Sequence, residues 1–178
     1  SNTLFVGSLD TRVYTKNATR VDISDHVKAG QYQLSIDTAA TQAGPVTANR
    51  NYNSTAPLGV SGTLSFNGST VELEATDTYA EAFGKIRNAA ETGETTVKIE
   101  TNGALSFTAE QYGMSSILEI AFDDKQLANA LGFTAAGGNS VVEDPENKGS
   151  YVYGQIQNGK VLVPSGTDAE VKLSKPGD

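Results

Sequence analysis

The chain is organised around residues 62–133, which read GTLSFNGSTVELEATDTYAEAFGKIRNAAETGETTVKIETNGALSFTAEQYGMSSILEIAFDDKQLANALGF. Apolar residues recur in this stretch first at every second position, then at helical spacing, and then again at every second position. A period of two is typical of a strand with one buried face, whereas a spacing of three and four is typical of a helix with one apolar stripe. The stretch therefore predicts a helix between strands that share one core.

The first half of the stretch predicts a hairpin followed by a capped helix. Asn67-Gly68 tolerates positive φ at both turn positions and joins the alternating residues 63–66 and 69–74. Thr78 and Glu81 have the spacing of a capping box, in which each side chain accepts a hydrogen bond from the other residue's backbone amide. The helix is expected to turn one apolar stripe to the sheet. This stripe consists of Tyr79, Ala82, Phe83, Ile86, Ala89 and Ala90.

Two glycines bear on this helix. Gly93 is expected to end it. Gly84 lies inside it, where glycine costs about 1 kcal/mol relative to alanine. That cost predicts a close contact at Gly84.

The second half of the stretch predicts another hairpin, a central strand and a short helix. Residues 95–100 alternate, Asn102-Gly103 makes the turn, and Leu105 and Phe107 resume the inward face. The dense apolar run at 117–122 is interpreted as the most central strand. The short helix is expected to have Asp123 as its cap, to contain Leu127, Ala130 and Leu131, and to end at Gly132.

The predicted order of elements is thus ββαβββα. Short hairpin connections favour antiparallel pairing. The predicted fold class is α+β, with mostly antiparallel β-sheets and with one longer and one short helix packed on the sheet.

This pattern resembles the flagellin hook IN motif, a unit of the flagellar filament-capping family and of the variable outer regions of many flagellins. The matching features are the hairpin FNGSTVEL, the helix TYAEAFGKIRNAAETG, the return VKIETNGALSFTA and the closing LANALGF. Arg87 separates Ile86 from Asn88, where that family typically has an adjacent Ile-Asn pair. The upstream run AGQYQLSIDTAATQAG, residues 29–44, is similar to a stretch of the capping family in which a turn feeds a strand.

The resemblance implies a structural component of the bacterial flagellum, namely an outer domain of the filament cap that assists flagellin assembly at the tip. It also implies an extracellular location, self-association as a ring in the full-length protein, and contact with flagellin. A variable outer domain of a flagellin and a surface adhesin module that binds host mucin or glycan are the open alternatives. No enzymatic activity is expected, and no catalytic, cofactor-binding or metal site.

Composition narrows the function classes further. The net charge of −8 argues against nucleic acid as a partner, because such binding depends on Lys and Arg that neutralise phosphates. The 178 residues contain no apolar run of membrane-spanning length, so no membrane partner is expected. The absence of Cys excludes disulfides, thiol catalysis and thiolate metal ligands. The start at Ser1-Asn2 without Met is expected of an excised fragment.

Outside the central stretch the strand signals are weaker, and they predict a second, β-rich lobe. Strands are expected within 4–16, 21–27 and 31–36, in a hairpin around Asn158-Gly159, and at 171–173, where the last strands pair with the first. Residues 38–57 are interpreted as a loop. The predicted division is a β-rich lobe at 3–55 with 150–174, a hook IN-like lobe at 56–135, and a surface linker at 136–149.

Two motifs typical of catalysis or nucleotide binding are incomplete. Gly154 to Lys160 has the Gly-x-x-x-x-Gly-Lys spacing of a phosphate loop, but Val161 stands where a hydroxyl residue would hold Mg²⁺. An Asn158-Gly159 hairpin explains the same residues. His26 is the single histidine, and without a Gly-x-Ser-x-Gly elbow or Cys it is interpreted as a capping or exposed side chain next to Asp25.

Carboxylates, aromatic rings and Asn-x-Ser/Thr triplets complete the candidates. The carboxylates are interpreted as caps or solvated faces. For Glu143, Asp144 and Glu146 a loose calcium site is the alternative, although Lys148 occupies a ligand-like position and so breaks the EF-hand pattern. The groups are Asp22 with Asp25, Asp123 with Asp124, and Glu143, Asp144 and Glu146. Tyr14, Tyr52, Tyr112, Tyr151 and Tyr153 are free for a protein or glycan contact, whereas Phe66, Tyr79, Phe83, Phe107, Phe122 and Phe133 are assigned to the core. Asn17, Asn53 and Asn67 begin glycosylation triplets, which matter only where the modifying machinery exists, and the flagellar resemblance argues against their use.

Overall fold

A computed structural model describes residues 2–6, 12–14, 20–22, 30–48, 53–93, 95–102, 104–133 and 140–174. The fold is α+β with mostly antiparallel sheets, as predicted. The strands are β1 Asn2–Val6, β2 Arg12–Tyr14, β3 Arg20–Asp22, β4 Gly30–Thr38, β5 Val46–Thr47, β6 Gly62–Phe66, β7 Ser69–Leu73, β8 Val97–Glu100, β9 Ser106–Ala109, β10 Ile120–Phe122, β11 Ser140–Glu143, β12 Tyr151–Gln157, β13 Lys160–Leu162 and β14 Glu170–Ser174. The helices are α1 Tyr79–Thr92 and α2 Lys125–Ala130.

A six-stranded sheet and a three-stranded sheet enclose the main core. The larger sheet has the order β11-β12-β10-β6-β7 with β13 paired to β12, and the smaller one has the order β5-β9-β8. The strand β10 lies between β12 and β6, so the predicted central position of this strand is confirmed. The order β6, β7, α1, β8, β9, β10, α2 matches the predicted ββαβββα order.

The core is built around a chain of aromatic rings. Phe107 lies 5.4 Å from Phe66 and 5.8 Å from Phe133, measured between ring centroids. Phe133 also contacts Phe122 at 5.6 Å. All six aromatic residues assigned to the core are buried. Phenylalanine rings bury large apolar areas, and tilted pairs at this spacing add to that stabilisation.

The first hairpin and the capping box have the predicted geometry. Asn67 and Gly68 have φ of 46° and 88° at the β6–β7 turn, the left-handed values that favour Asn-Gly there. The Thr78 hydroxyl accepts from the Glu81 amide at 3.1 Å, and the Glu81 carboxylate accepts from the Thr78 amide at 3.2 Å. Two otherwise unsatisfied amides at the start of α1 are thereby paired.

The predicted apolar stripe of α1 faces the core, and the helix stops at Gly93. Tyr79, Ala82, Phe83 and Ile86 are buried. The reason for glycine at 93 is packing rather than a left-handed cap, because its φ is −75°. A Cβ there would overlap the Ser69 hydroxyl and lie 2.8 Å from the Ala89 carbonyl oxygen.

The close contact predicted at Gly84 is wrong. A Cβ at this position would meet no heavy atom nearer than an Arg87 guanidinium nitrogen at 4.0 Å, so the site has room for alanine. We expect Gly84→Ala to raise the free energy of unfolding by about 0.5–1 kcal/mol, since alanine loses less backbone entropy in a helix. Urea unfolding followed by circular dichroism measures the change, and a lower unfolding midpoint would contradict the expectation.

Asp77 is a buried carboxylate that ties the β7–α1 connection to the helix. Its Oδ2 accepts from the Lys85 ammonium at 2.7 Å and from the Glu74 amide at 2.8 Å. The hydrogen bond from Lys85, followed by that from Glu74, lowers the pKa of Asp77. Because the folded state prefers the ionised carboxylate, its stabilisation is present above the unfolded pKa, about 4, and is lost as the pH falls below it.

The lowered pKa of Asp77 leads to a prediction for Asp77→Asn. We expect the substitution to cost about 2 kcal/mol near pH 7, because it removes charge-assisted hydrogen bonds to a buried group. The difference from the unsubstituted protein should shrink when unfolding is repeated near pH 3. The matched control is Glu146→Gln at an exposed carboxylate, which should leave the free energy of unfolding unchanged near pH 7 and near pH 3. A difference for Asp77→Asn that is the same at both pH values would contradict the assignment.

The cap of the short helix lies one residue later than predicted. Asp124 is the N-cap of α2, and its Oδ1 accepts from the Gln126 amide at 2.8 Å. Asp123 instead accepts from the Thr63 amide at 2.8 Å and so anchors β6. Gly132 ends the helix with φ of 89°, as predicted.

Three elements outside the central stretch differ from the predicted division. Residues 38–57 contain β5, which pairs with β9 and places Val46 in the core instead of in a loop. The predicted linker 136–149 contains β11, and β12, predicted for the β-rich lobe, joins the central sheet beside β10. These pairings join residues distant in sequence, so a local period does not reveal them.

The predicted pairing of the last strands with the first is confirmed for β14 only, since β12 and β13 pair with neither β1, β2, β3 nor β4. The strand β14 pairs with β4, which also pairs with β1, and β2 pairs with β3. The hairpin β12–β13 turns at Asn158 and Gly159, with φ of 53° and 75°. This turn is the one that the hairpin interpretation of the phosphate-loop spacing requires.

Candidate interaction surface

Three segments that are distant in sequence meet at one junction. They are residues 41–43, 110–118 and 164–168. The Gly113 amide donates to the Thr41 carbonyl at 2.9 Å, and the Gly166 amide donates to the Ser116 carbonyl at 2.8 Å. The fully buried Ser116 hydroxyl accepts from the Ala43 amide at 3.0 Å. Hydrogen bonds therefore join the central segment, 110–118, to each of the other two segments.

The junction presents a loop with exposed apolar side chains, which we call the Met114 loop (residues 111–117). Exposed fractions are 41% for Tyr112, 70% for Met114 and 47% for Ile117. The described residues contain six exposed large hydrophobic side chains, and these three lie within six positions of one another. A concentration of exposed apolar side chains is typical of a protein contact surface. Methionine in particular adapts to the shape of a partner.

The backbone of the Met114 loop is fixed although its large apolar side chains are exposed. Gly113 has φ of 99°, a conformation that favours glycine. The Asp168 carboxylate accepts from the Met114 amide at 2.8 Å. Leu118, directly after the loop, donates to the Pro164 carbonyl at 3.0 Å. A loop held in this way loses little conformational entropy on binding.

The charge around the Met114 loop is negative. Glu110 and Asp168 are exposed on the segments that form the junction, and Glu119 is exposed directly after the second of these segments. No Lys or Arg occurs in the sequence between residues 29 and 49, 99 and 124, or 161 and 171. An apolar centre with an acidic rim is complementary to an apolar pocket with a basic rim, and it repels a second acidic face.

Two grooves lie on the surface of the central sheet and α1. One, of about 610 Å³, lies between the β6–β7 turn and the end of α1. The other, of about 320 Å³, is lined by hydroxyl and amide side chains, including Thr63, Ser65, Thr70, Asn147 and Ser150. The first groove exposes more polar than apolar surface, whereas the second also contains Ala121 and Phe122 and exposes more apolar than polar surface.

The structure does not assemble the carboxylates at 143–146, for which a calcium site was the alternative interpretation, into a binding cluster. Glu143 pairs with Lys148 at 3.5 Å, and Asp144 accepts from the Glu146 amide at 2.9 Å. The hydrogen bond of Tyr151 to Glu143 raises the pKa of Tyr151. Within the described ranges, no group of three or more His, Asp or Glu side chains is placed to hold a metal ion. The same ranges contain no helix that is both long and apolar enough to span a bilayer.

Several predicted site residues lie outside the described residues. They are His26, Asp25, Tyr52, Asn17 and the side chains of Tyr14 and Asp22. Tyr112 is exposed as expected, whereas Tyr151 and Tyr153 are half-buried and pack against the core.

Sequence reasoning missed the Met114 loop as a unit. It assigned Ile117 to the central strand because Ile117 begins an apolar run, but β10 starts at Ile120 and Ile117 forms an isolated bridge to Ser165. The signal was the triplet Tyr-Gly-Met, which interrupts the strand period with a glycine between two large side chains.

Comparison with protein-family models, with curated proteins and with solved structures finds no match to this chain.

Proposed function

We propose that this chain is a structural module of the bacterial flagellum, an outer domain of the filament cap that assists flagellin assembly at the tip. Two lines of reasoning support the proposal. The first is the resemblance of the sequence of residues 62–133 to the hook IN motif. The second, which carries the functional step, is the Met114 loop, a fixed backbone that presents apolar side chains.

The Met114 loop is the contact for flagellin in this proposal, and ring formation by the full-length protein uses another face. The acidic rim is the reason for this division. Two copies that met through this face would bring Glu110, Glu119 and Asp168 together with their counterparts, and like charges across an interface weaken it. A flagellin surface with an apolar pocket and basic rim would complement the loop.

The test uses full-length parent protein in cells that build flagella. Met114→Glu is expected to shift flagellin from filaments to the culture medium, because it places a carboxylate where an apolar contact is needed. Met114→Leu keeps volume and apolarity and should leave filaments unchanged. Flagellin is measured in the filament and medium fractions, and circular dichroism of the purified domain checks the fold. Normal filaments with a folded Met114→Glu variant would refute the assigned contact.

The nearest alternative is a variable outer domain of a flagellin. The sequence that flanks the domain in the native gene separates the two, since the capping family has long heptad-like helices around a short central insert. Flagellin terminal helices in the flanking sequence would favour the alternative.

A surface adhesin that binds host mucin or glycan is the second candidate, and the hydroxyl-lined groove of about 320 Å³ favours it. A glycan array with the isolated chain tests this function. Binding that Ser65→Val abolishes would support the adhesin, and a flat response would remove it.

A further inference from the structure

The three Asn-x-Ser/Thr triplets are not equivalent in the folded chain, and this difference is independent of the proposed flagellar function. We propose that the folded chain offers Asn53, and not Asn67, as an acceptor for an N-linked glycan. The inference concerns which asparagine the folded chain offers to an oligosaccharyltransferase that recognises Asn-x-Ser/Thr. Asn17 lies outside the described residues.

The triplet at Asn53 has its side chains arranged for transfer. The Asn53 Oδ1 accepts from the Thr55 hydroxyl at 2.9 Å and from the Thr55 amide at 3.2 Å. Donors aimed at a carbonyl oxygen stabilise negative charge that develops on it. They therefore favour loss of a proton from Nδ2 and make this nitrogen a better nucleophile.

The same triplet is accessible and held in place. Asn53, Ser54 and Thr55 are all exposed. The Ser54 carbonyl accepts from the Ala80 amide at 3.1 Å, so the turn is fixed to the first turn of α1. Neither Ser54 nor the residue after Thr55 is proline, which would block recognition of the triplet.

In the triplet at Asn67, the side chains of Asn67 and Ser69 are hydrogen-bonded to other parts of the fold. The Asn67 Nδ2 donates to the Ile117 carbonyl at 2.9 Å, and Oδ1 accepts from the Glu119 amide at 2.8 Å. Ser69, the hydroxyl residue of this triplet, is buried, and its Oγ is bonded to the Thr95 hydroxyl at 3.0 Å. The nucleophile and the hydroxyl are thus both engaged elsewhere.

The transfer step balances with a lipid-diphosphate oligosaccharide as donor. The Asn53 Nδ2 forms a bond to the anomeric carbon of the sugar. The anomeric carbon–oxygen bond breaks, and its electron pair leaves with the lipid diphosphate. One Nδ2 proton passes to a carboxylate base of the transferase.

The test incubates the folded chain with a purified single-subunit oligosaccharyltransferase and lipid-linked oligosaccharide. Peptides with residues 49–59 and 63–73 are treated in parallel, and mass spectrometry after proteolysis locates the glycan. We expect both peptides to be modified, but in the folded chain modification at Asn53 should exceed that at Asn67 at least tenfold. Thr55→Ala should abolish modification at Asn53, and Thr55→Ser should retain it.

Two results would overturn the inference. One is a folded chain in which Asn53 stays unmodified, whether or not the peptide with residues 49–59 is accepted. The other is equal modification of Asn53 and Asn67 in the folded chain. Circular dichroism of each Thr55 variant shows that the comparison is made on folded protein.

Discussion

Phe107→Ala is expected to lower the free energy of unfolding by about 4 kcal/mol. The Phe107 side chain is fully buried and lies between Phe66 and Phe133. The substitution removes a ring from the middle of this chain of contacts and leaves a cavity that the neighbouring rings, which are themselves packed in the core, cannot readily fill. Urea unfolding followed by circular dichroism measures the loss.

The matched control for Phe107→Ala is Tyr112→Ala, which removes an aromatic ring from the exposed Met114 loop. We expect this control to cost less than about 1 kcal/mol, as is usual for surface substitutions. A cost for Phe107→Ala no greater than that for Tyr112→Ala would show that the aromatic chain does not form the core.

Gly166→Ala is expected to cost about 3 kcal/mol and to displace the Met114 loop. A Cβ at this position would overlap the carbonyl oxygens of Thr41 and Gly113, both of which are backbone atoms that cannot rotate away. The junction must therefore open, and the Gly166 to Ser116 hydrogen bond is strained or lost. Hydrogen exchange is expected to increase in residues 110–118.

Gly84→Ala is the matched control for this second prediction, because it makes the same chemical change where space is open. The combination expected is a destabilised Gly166→Ala with faster exchange at the junction, and a Gly84→Ala of equal or greater stability with unchanged exchange there. Equal stability of the two variants would mean that the three segments do not meet as described.

The parts of the fold that were predictable from the sequence depend on near neighbours. The Asn67-Gly68 turn, the Thr78 and Glu81 capping box and the stripe on α1 each involve residues a few positions apart. Such features are determined by φ preference, hydrogen-bonding reach and helical period. They remain recognisable without knowledge of the rest of the chain.

The parts that were not predictable depend on distant partners. Val46 is buried because β5 pairs with β9, about sixty positions later, and β12 joins the centre of the sheet beside β10. Asp124 rather than Asp123 is the helix cap, because the Asp123 carboxylate accepts a hydrogen bond from the Thr63 amide of β6. Gly84 shows the reverse error, since its helical cost suggested a contact that the structure does not contain.

The Met114 loop was likewise not predictable as a surface, because it depends on residues distant in sequence. Tyr112 was recognised as free for a contact, but Met114 and Ile117 were not joined to it, because their exposure results from hydrogen bonds to residues 41–43 and 164–168. Neither of these segments lies near the loop in sequence.

The central claim is that the Met114 loop contacts flagellin, and site-specific photo-crosslinking tests it most directly. A photoreactive phenylalanine replaces Met114 in the full-length parent protein of cells that are assembling filaments, and an otherwise identical strain carries it at Glu146, an exposed position in the β11–β12 loop. We predict a crosslink to flagellin from position 114 that is absent from position 146. A position 114 that crosslinks to no flagellin, while the cells still assemble filaments, would contradict the claim.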